Sequence, residues 1–99
     1  MTLNDYIERL KQQVLEILKD EDVEVILFGS RAKGNGRNIT SDIDVGIIPK
    51  SKFDRTKIAI LREIVEEMNI PYKVDIVDFS LVSKKFETEA LKEVERWKG

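Results

Sequence analysis

The chain has 99 residues, of which 41% are hydrophobic and 36% charged, and a formal net charge of -2. That length fits a single domain, residues 1–99, and a fold so small buries only about two-thirds of its unfolded surface. Cysteine and histidine are both absent, which excludes disulfide frameworks, zinc fingers, thiolate nucleophiles and Ser-His-Asp triads, and leaves only hard cations on oxygen ligands as metals.

Leu3, Ile7, Leu10, Val14 and Ile17/Leu18 recur at steps of three and four, so the first segment is predicted as an amphipathic helix. Thr2 followed by Asp5 resembles a capping box at its start. Asp20-Glu21-Asp22 breaks the pattern, and Val23 to Phe28 is predicted as a strand buried on both faces. Gly29-Ser30 ends that strand, followed by a short helical turn over Arg31-Ala32-Lys33 and a loop from Gly34 to Ser41. Asp42 to Ile48 is a second strand stopped by Pro49. Ser51 is expected to cap a helix whose apolar positions run from Phe53 to Met68, and Asn69-Ile70-Pro71 ends it. Lys73 to Val77 is a third, short strand. A last helix is expected from about Ser83, carrying Phe86, Ala90, Leu91, Val94 and Trp97 on one face.

The predicted order is therefore helix, strand, short helix, strand, helix, strand, helix. It describes an α/β fold, a small mixed sheet packed with helices. The helical link between strands two and three calls for a parallel crossover, and the shorter link between strands one and two suits an antiparallel pair. No apolar run approaches the ~18 residues of a membrane span, and Met1-Thr2-Leu3-Asn4-Asp5 lacks the features of a signal peptide. A cytoplasmic protein without membrane contact is expected. The slightly acidic balance argues against direct nucleic-acid binding.

Three features point to chemistry. Side chains at i and i+2 of a strand share a face, so Asp42 and Asp44 project together, about 7 Å apart along the backbone. Two carboxylates held on one side repel each other, and a divalent cation removes that cost. Asp75, on the predicted neighbouring strand, can complete a cluster suited to Mg²⁺, which prefers oxygen ligands and shares its shell with phosphates. Gly29-Ser30 supplies the complementary half. The glycine lets the backbone bend sharply, and a helical turn starting at Ser30 offers free N–H groups to phosphate, with Arg31, Lys33 and Arg37 nearby.

The stretch Leu27-Phe28-Gly29-Ser30-Arg31-Ala32-Lys33-Gly34, followed by Ser41-Asp42-Ile43-Asp44-Val45 and Val74-Asp75-Ile76-Val77, resembles the minimal nucleotidyltransferase branch of the DNA polymerase β-like superfamily, the antitoxin partners of HEPN toxins. The resemblance spans nearly the whole chain, although the loop between Gly34 and Ser41 has an extra glycine and lacks the Arg-Pro of many relatives. It implies that Gly29, Ser30, Arg31 and Ser41 bind the nucleotide, ATP. It implies that Asp42, Asp44 and Asp75 are catalytic and hold two Mg²⁺ ions, with Asp75 helping to deprotonate the attacking hydroxyl. It further implies transfer of AMP to a protein hydroxyl, a tyrosine of a HEPN-type RNase toxin encoded nearby, in a hetero-oligomer with that partner.

Two other functions fit the same residues: a non-catalytic antitoxin that neutralises by binding, and nucleotidyl transfer to a small molecule or an RNA 3′ end. Each motif alone also has a plainer reading. Gly-Ser is commonly just a turn, Asp-x-Asp a solvated strand boundary, and Asp78 a turn or helix-cap residue. The basic run Lys50, Lys52, Arg55 and Lys57 reads first as a solvated face and second as a patch for an acidic partner or RNA. Phe86 and Trp97 read as core.

Overall fold

Thr2 and Asp5 start the chain's first helix reciprocally. The Thr2 N–H donates to Asp5 Oδ2 at 2.9 Å, and the Asp5 N–H donates to Thr2 Oγ1 at 3.2 Å. This capping box satisfies two donors that the first turn leaves without partners, and α1 runs over Leu3–Ile17. The computed structural model describes residues 1–29 and 43–99. Over them the chain continues as β1 (Val23–Phe28), β2 (Ile43–Pro49), α2 (Thr56–Glu67), β3 (Val74–Asp78), α3 (Lys84–Ala90) and β4 (Glu95–Lys98). The expected turn at Arg31-Ala32-Lys33 and the loop after it lie outside the described residues.

The four strands form one sheet in the order β3-β2-β1-β4. β1 and β2 pair antiparallel, β2 and β3 parallel, as expected from the two linkers. Alternation along the strands sorts side chains onto two faces. Val23, Val25 and Leu27 of β1, Ile43, Val45 and Ile47 of β2 and Ile76 of β3 join Leu10, Val14, Leu18, Ile58 and Leu61 in the main core beneath α1 and α2. Ile26 and Phe28 of β1 face the other way and pack with Phe79, flanked by Ile48, Val77, Val82, Ala90 and Val94. That second core is thinner, because α3 contributes no fully buried residue.

The C-terminal segment departs from expectation. The last helix is only Lys84–Ala90, and Glu95–Lys98 is a fourth strand, antiparallel to β1 with Leu27 opposite Glu95 and Ile26 opposite Arg96. The spacing of Phe86, Ala90, Leu91, Val94 and Trp97 fits a helix, but the open edge of β1 offers backbone partners that an isolated helical turn does not. Trp97 is buried as expected, although on this strand, and its Nε1–H donates to Glu95 Oε2 at 3.0 Å. Arg96 Nη1 reaches Glu24 Oε1 across the pair at 2.6 Å. Phe86 is a correction: it keeps 42% of its surface exposed.

The start of α2 is also later than expected. Its N-cap is Arg55, and Ser51 is not the cap; Asp54 instead accepts from the Thr56 N–H at 3.1 Å and from the Thr56 hydroxyl at 2.6 Å. The basic run is not simply a solvated face. Lys57 Nζ pairs with Glu21 Oε2 at 2.8 Å and Arg55 Nε with Asp78 Oδ2 at 2.8 Å, tying the entry of α2 to the β1 approach and to the end of β3. Lys50 and Lys52 remain exposed. Asn69 ends α2 with a positive φ of 53°, which asparagine tolerates.

Candidate functional site

The site gathers where β1 ends and β2 and β3 begin. Gly29 follows β1 with φ of +80°, in the left-handed region that glycine enters at little cost. A methyl group built on it would stand 2.6 Å from Asp44 Oδ2. Only the missing side chain lets the turn and the carboxylate approach so closely, and the expected role of glycine at this bend has its physical reason there.

Asp44 sits opposite Phe28 on β1 and opposite Asp75 on β3. Neighbouring residues of β2 and β3, namely Ile43, Val45, Val74 and Ile76, point into the core under α1 and α2. Asp44 and Asp75 therefore share the opposite face, one strand spacing of about 4.8 Å apart. The sequence placed Asp75 on a neighbouring strand; the register makes it the direct partner of Asp44.

Aromatic packing backs this face. Phe28 meets Phe79 edge-on with ring centroids 5.3 Å apart, and Phe86 closes the cluster at 6.0 Å from Phe28 and 5.9 Å from Phe79. Gly46, two residues after Asp44, makes room for Phe79: an added methyl would lie 2.5 Å from its Cε1. Such edge-to-face contacts fix ring positions more tightly than burial alone.

A buried lock that the sequence reading did not identify fixes the end of β3. Asp78 is buried, and its Oδ1 accepts from the Ser80 N–H at 2.9 Å and from the Ser80 hydroxyl at 2.6 Å. Arg55 donates to Asp78 Oδ2 and also to the Ser80 hydroxyl. Burial pushes the Asp78 carboxyl up, but the hydrogen bonds from Ser80 and Arg55 outweigh it, and its pKa falls below the ordinary 3.8. The Asp-x-Ser pattern signals the turn in sequence; the arginine arrives from across the fold.

Of the expected site residues, Gly29, Asp44 and Asp75 are brought together on one face. Ser30, Arg31, Ser41 and Asp42 lie outside the described residues. Among the described residues no group of three or more carboxylates could hold a metal ion. The pair Asp44 and Asp75 nonetheless fits a hard divalent cation: both are oxygen donors, adjacent and on one face, beside a turn with no side chain in the way. Among the described residues no helix is long and apolar enough to cross a membrane.

Residues 12–96 match the family described as "Polymerase beta, Nucleotidyltransferase", and the chain belongs to that family. It is similar to a Haemophilus influenzae protein named "Probable protein adenylyltransferase MntA", 32% identical over 83 residues that make up 78% of this chain and 72% of that one. A solved structure described as a "putative minimal nucleotidyltransferase" superposes with a TM-score of 0.68 at 25% identity, covering 96% of this chain and 95% of the other. The MNT antitoxin fold in complex with a tri-AMPylated HEPN toxin of Shewanella oneidensis is also similar, with a TM-score of 0.61 at 18% identity over 93% of this chain and 71% of that one.

Proposed function

We propose that this chain transfers AMP from ATP to a hydroxyl of a partner protein, a tyrosine of a HEPN-type RNase toxin, and so acts as its antitoxin in a hetero-oligomer. The observation that carries the reading is the in-register pair Asp44 and Asp75 on one face, beside the side-chain-free turn at Gly29. A purely binding scaffold gains nothing from two like charges in register, which repel across a strand pair. The name of the Haemophilus relative and the AMPylated toxin in the Shewanella complex support the choice of AMP and of acceptor.

In this reading the residues divide the work. Gly29 and Ser30, with Arg31 and Ser41, hold the triphosphate, because a turn without a Cβ lets phosphate oxygens approach backbone N–H groups. Asp42, Asp44 and Asp75 would hold two Mg²⁺ ions. When bound, those ions supply charge neutralisation at the nucleophile and at the leaving group. Asp75 orients the acceptor hydroxyl and takes its proton. The hydroxyl oxygen forms a bond to the α-phosphorus, the bond from that phosphorus to the bridging oxygen of pyrophosphate breaks, and pyrophosphate carries away the electron pair. No histidine is required at any step.

The test is intact-mass spectrometry of the HEPN-type protein encoded beside this chain after incubation with it, ATP and Mg²⁺. Mass gains of whole AMP units, absent with Asp44→Asn, are expected. A stable complex that blocks RNase activity with no mass gain would replace this reading with neutralisation by binding.

A further inference from the structure

β3 is an edge strand: among the described residues, β2 lies on one side of it and no strand on the other. The Lys73 carbonyl accepts from the Ile43 N–H at 2.8 Å, and the Phe79 N–H donates to the Ile47 carbonyl at 2.9 Å. In a parallel ladder, successive residues direct their backbone groups to opposite sides. Val74 and Ile76 therefore turn theirs to the open edge, while the Asp78 carbonyl is taken by the Leu81 N–H at 3.1 Å. The outward carbonyl of Ile76 confirms the alternation, since it accepts from Arg62 Nη2 of α2 at 2.7 Å.

Along this edge runs a groove of about 540 Å³ between α2 and the turn after β3. Val65, Val74 and Val82 give it apolar walls, and Leu81 stands at its rim with 75% of its surface exposed. Its charges are Arg62, Glu66, Asp75 and Asp78. Asp78 is paired with Arg55, and Arg62 offsets one of the two remaining carboxylates, Glu66 and Asp75, so the groove keeps one net negative charge. Asp75 also belongs to the candidate site, and the groove is thus continuous with it.

We infer that this groove docks an extended, basic, hydroxyl-bearing segment of the acceptor protein by strand addition to the edge of β3 at Val74 and Ile76. The inference rests on the transfer to a protein hydroxyl proposed above, and it deepens that reading by naming how the acceptor is held. Strand addition draws affinity from backbone hydrogen bonds and selectivity from alternate side chains. Here one set of side chains lies over Leu81 and Val82, Glu66 meets a lysine or arginine, and the segment runs past Asp75, which receives the hydroxyl. Arg62 guards the edge until then. A charged side chain on an outward carbonyl is a common defence against edge-to-edge pairing, and the incoming strand displaces it.

Hydrogen–deuterium exchange of the full chain, with and without the HEPN-type protein encoded beside it, reads the edge directly. It is paired with affinity measurements for Leu81→Asp and Glu66→Lys, and with binding of a fluorescent ATP analogue as an independent check on the nucleotide site. Protection of the Val74 and Ile76 amides in the complex is expected, with at least tenfold weaker partner binding in both variants and unchanged analogue binding. If AMP transfer proceeds in the wild type while both variants bind normally and the amides stay unprotected, the docking surface is overturned and the transferase reading stands. If the amides are protected and the variants weaken binding but no AMP is transferred, the transferase reading fails and the surface stands as a binding site. Absence of any complex overturns the stated occupant. A dimer of the chain alone that protects the same amides and dissolves in Leu81→Asp also overturns it, naming a second copy.

Discussion

Asp44 on β2 and Asp75 on β3 are register partners across a parallel strand pair, both facing away from α1 and α2. Like charges opposed across strands cost about 0.2–1 kcal/mol. Asp75→Asn is therefore expected to stabilise the metal-free chain by about that amount while lowering AMP transfer about 10²–10⁴-fold, the usual contribution of a positioned general base. Thermal unfolding without metal and single-turnover transfer measure the two effects separately. Full transfer activity in this variant would remove Asp75 from the chemistry.

Gly29 combines a positive φ with a missing Cβ that would sit 2.6 Å from Asp44 Oδ2. Gly29→Ala should cost about 1–3 kcal/mol, since both the backbone conformation and the carboxylate must give way. For a domain of this size each 1 kcal/mol lowers the midpoint by about 4–8 °C. Calorimetry checks this, and an unchanged midpoint would show that the turn relaxes freely.

The Asp78 lock makes stability depend on acid. Its folded-state pKa lies below the ordinary 3.8, so the unfolded chain takes up a proton there first. The stabilisation is complete well above pH 3.8 and is lost as pH falls below that value and through the folded-state pKa. Asp78→Ala should cost about 1–3 kcal/mol at neutral pH by leaving the Arg55 and Ser80 donors without their acceptor. It should also flatten the acid limb of stability. Urea titrations at several pH values decide this; parallel acid limbs in variant and wild type would rule the lock out as the source.

β4 protects an edge of β1, and Trp97 is its one buried side chain. Trp97→Ala is expected to destabilise by about 3–5 kcal/mol, in the range for large aromatic truncations. It should also raise aggregation by freeing the β1 edge. Urea unfolding and light scattering follow the two consequences. A loss below ~1 kcal/mol would contradict the packing of this strand.

Local rules were enough for much of the fold. The capping box at Thr2 and Asp5, the three-four spacing of Leu3 to Leu18, and the apolar run of β1 each state their own structure, because neighbours in sequence decide them. Linker lengths favoured the parallel and antiparallel pairings that the sheet shows, since a helical crossover is the usual route back to a parallel neighbour. The same locality misled at the C-terminus. Phe86 to Trp97 carries helical spacing, yet Glu95–Lys98 became a strand because the open edge of β1, some seventy residues earlier, supplied its hydrogen-bond partners. Propensity is weak in so short a segment, and long-range pairing prevailed.

Composition and motif spacing limit the residue types that can act to carboxylates and a glycine turn, in a chain without histidine or cysteine. Their arrangement arises in the folded sheet. Strand register set Asp75 beside Asp44, the missing Cβ at Gly29 admitted the carboxylate, and Arg55 reached from the N-cap of α2 to lock Asp78. The physical reason is one of range. Side-chain chemistry and local conformational preference are carried by each residue and its near neighbours, whereas register, facing and ion pairing across elements exist only after the sheet has closed on its core.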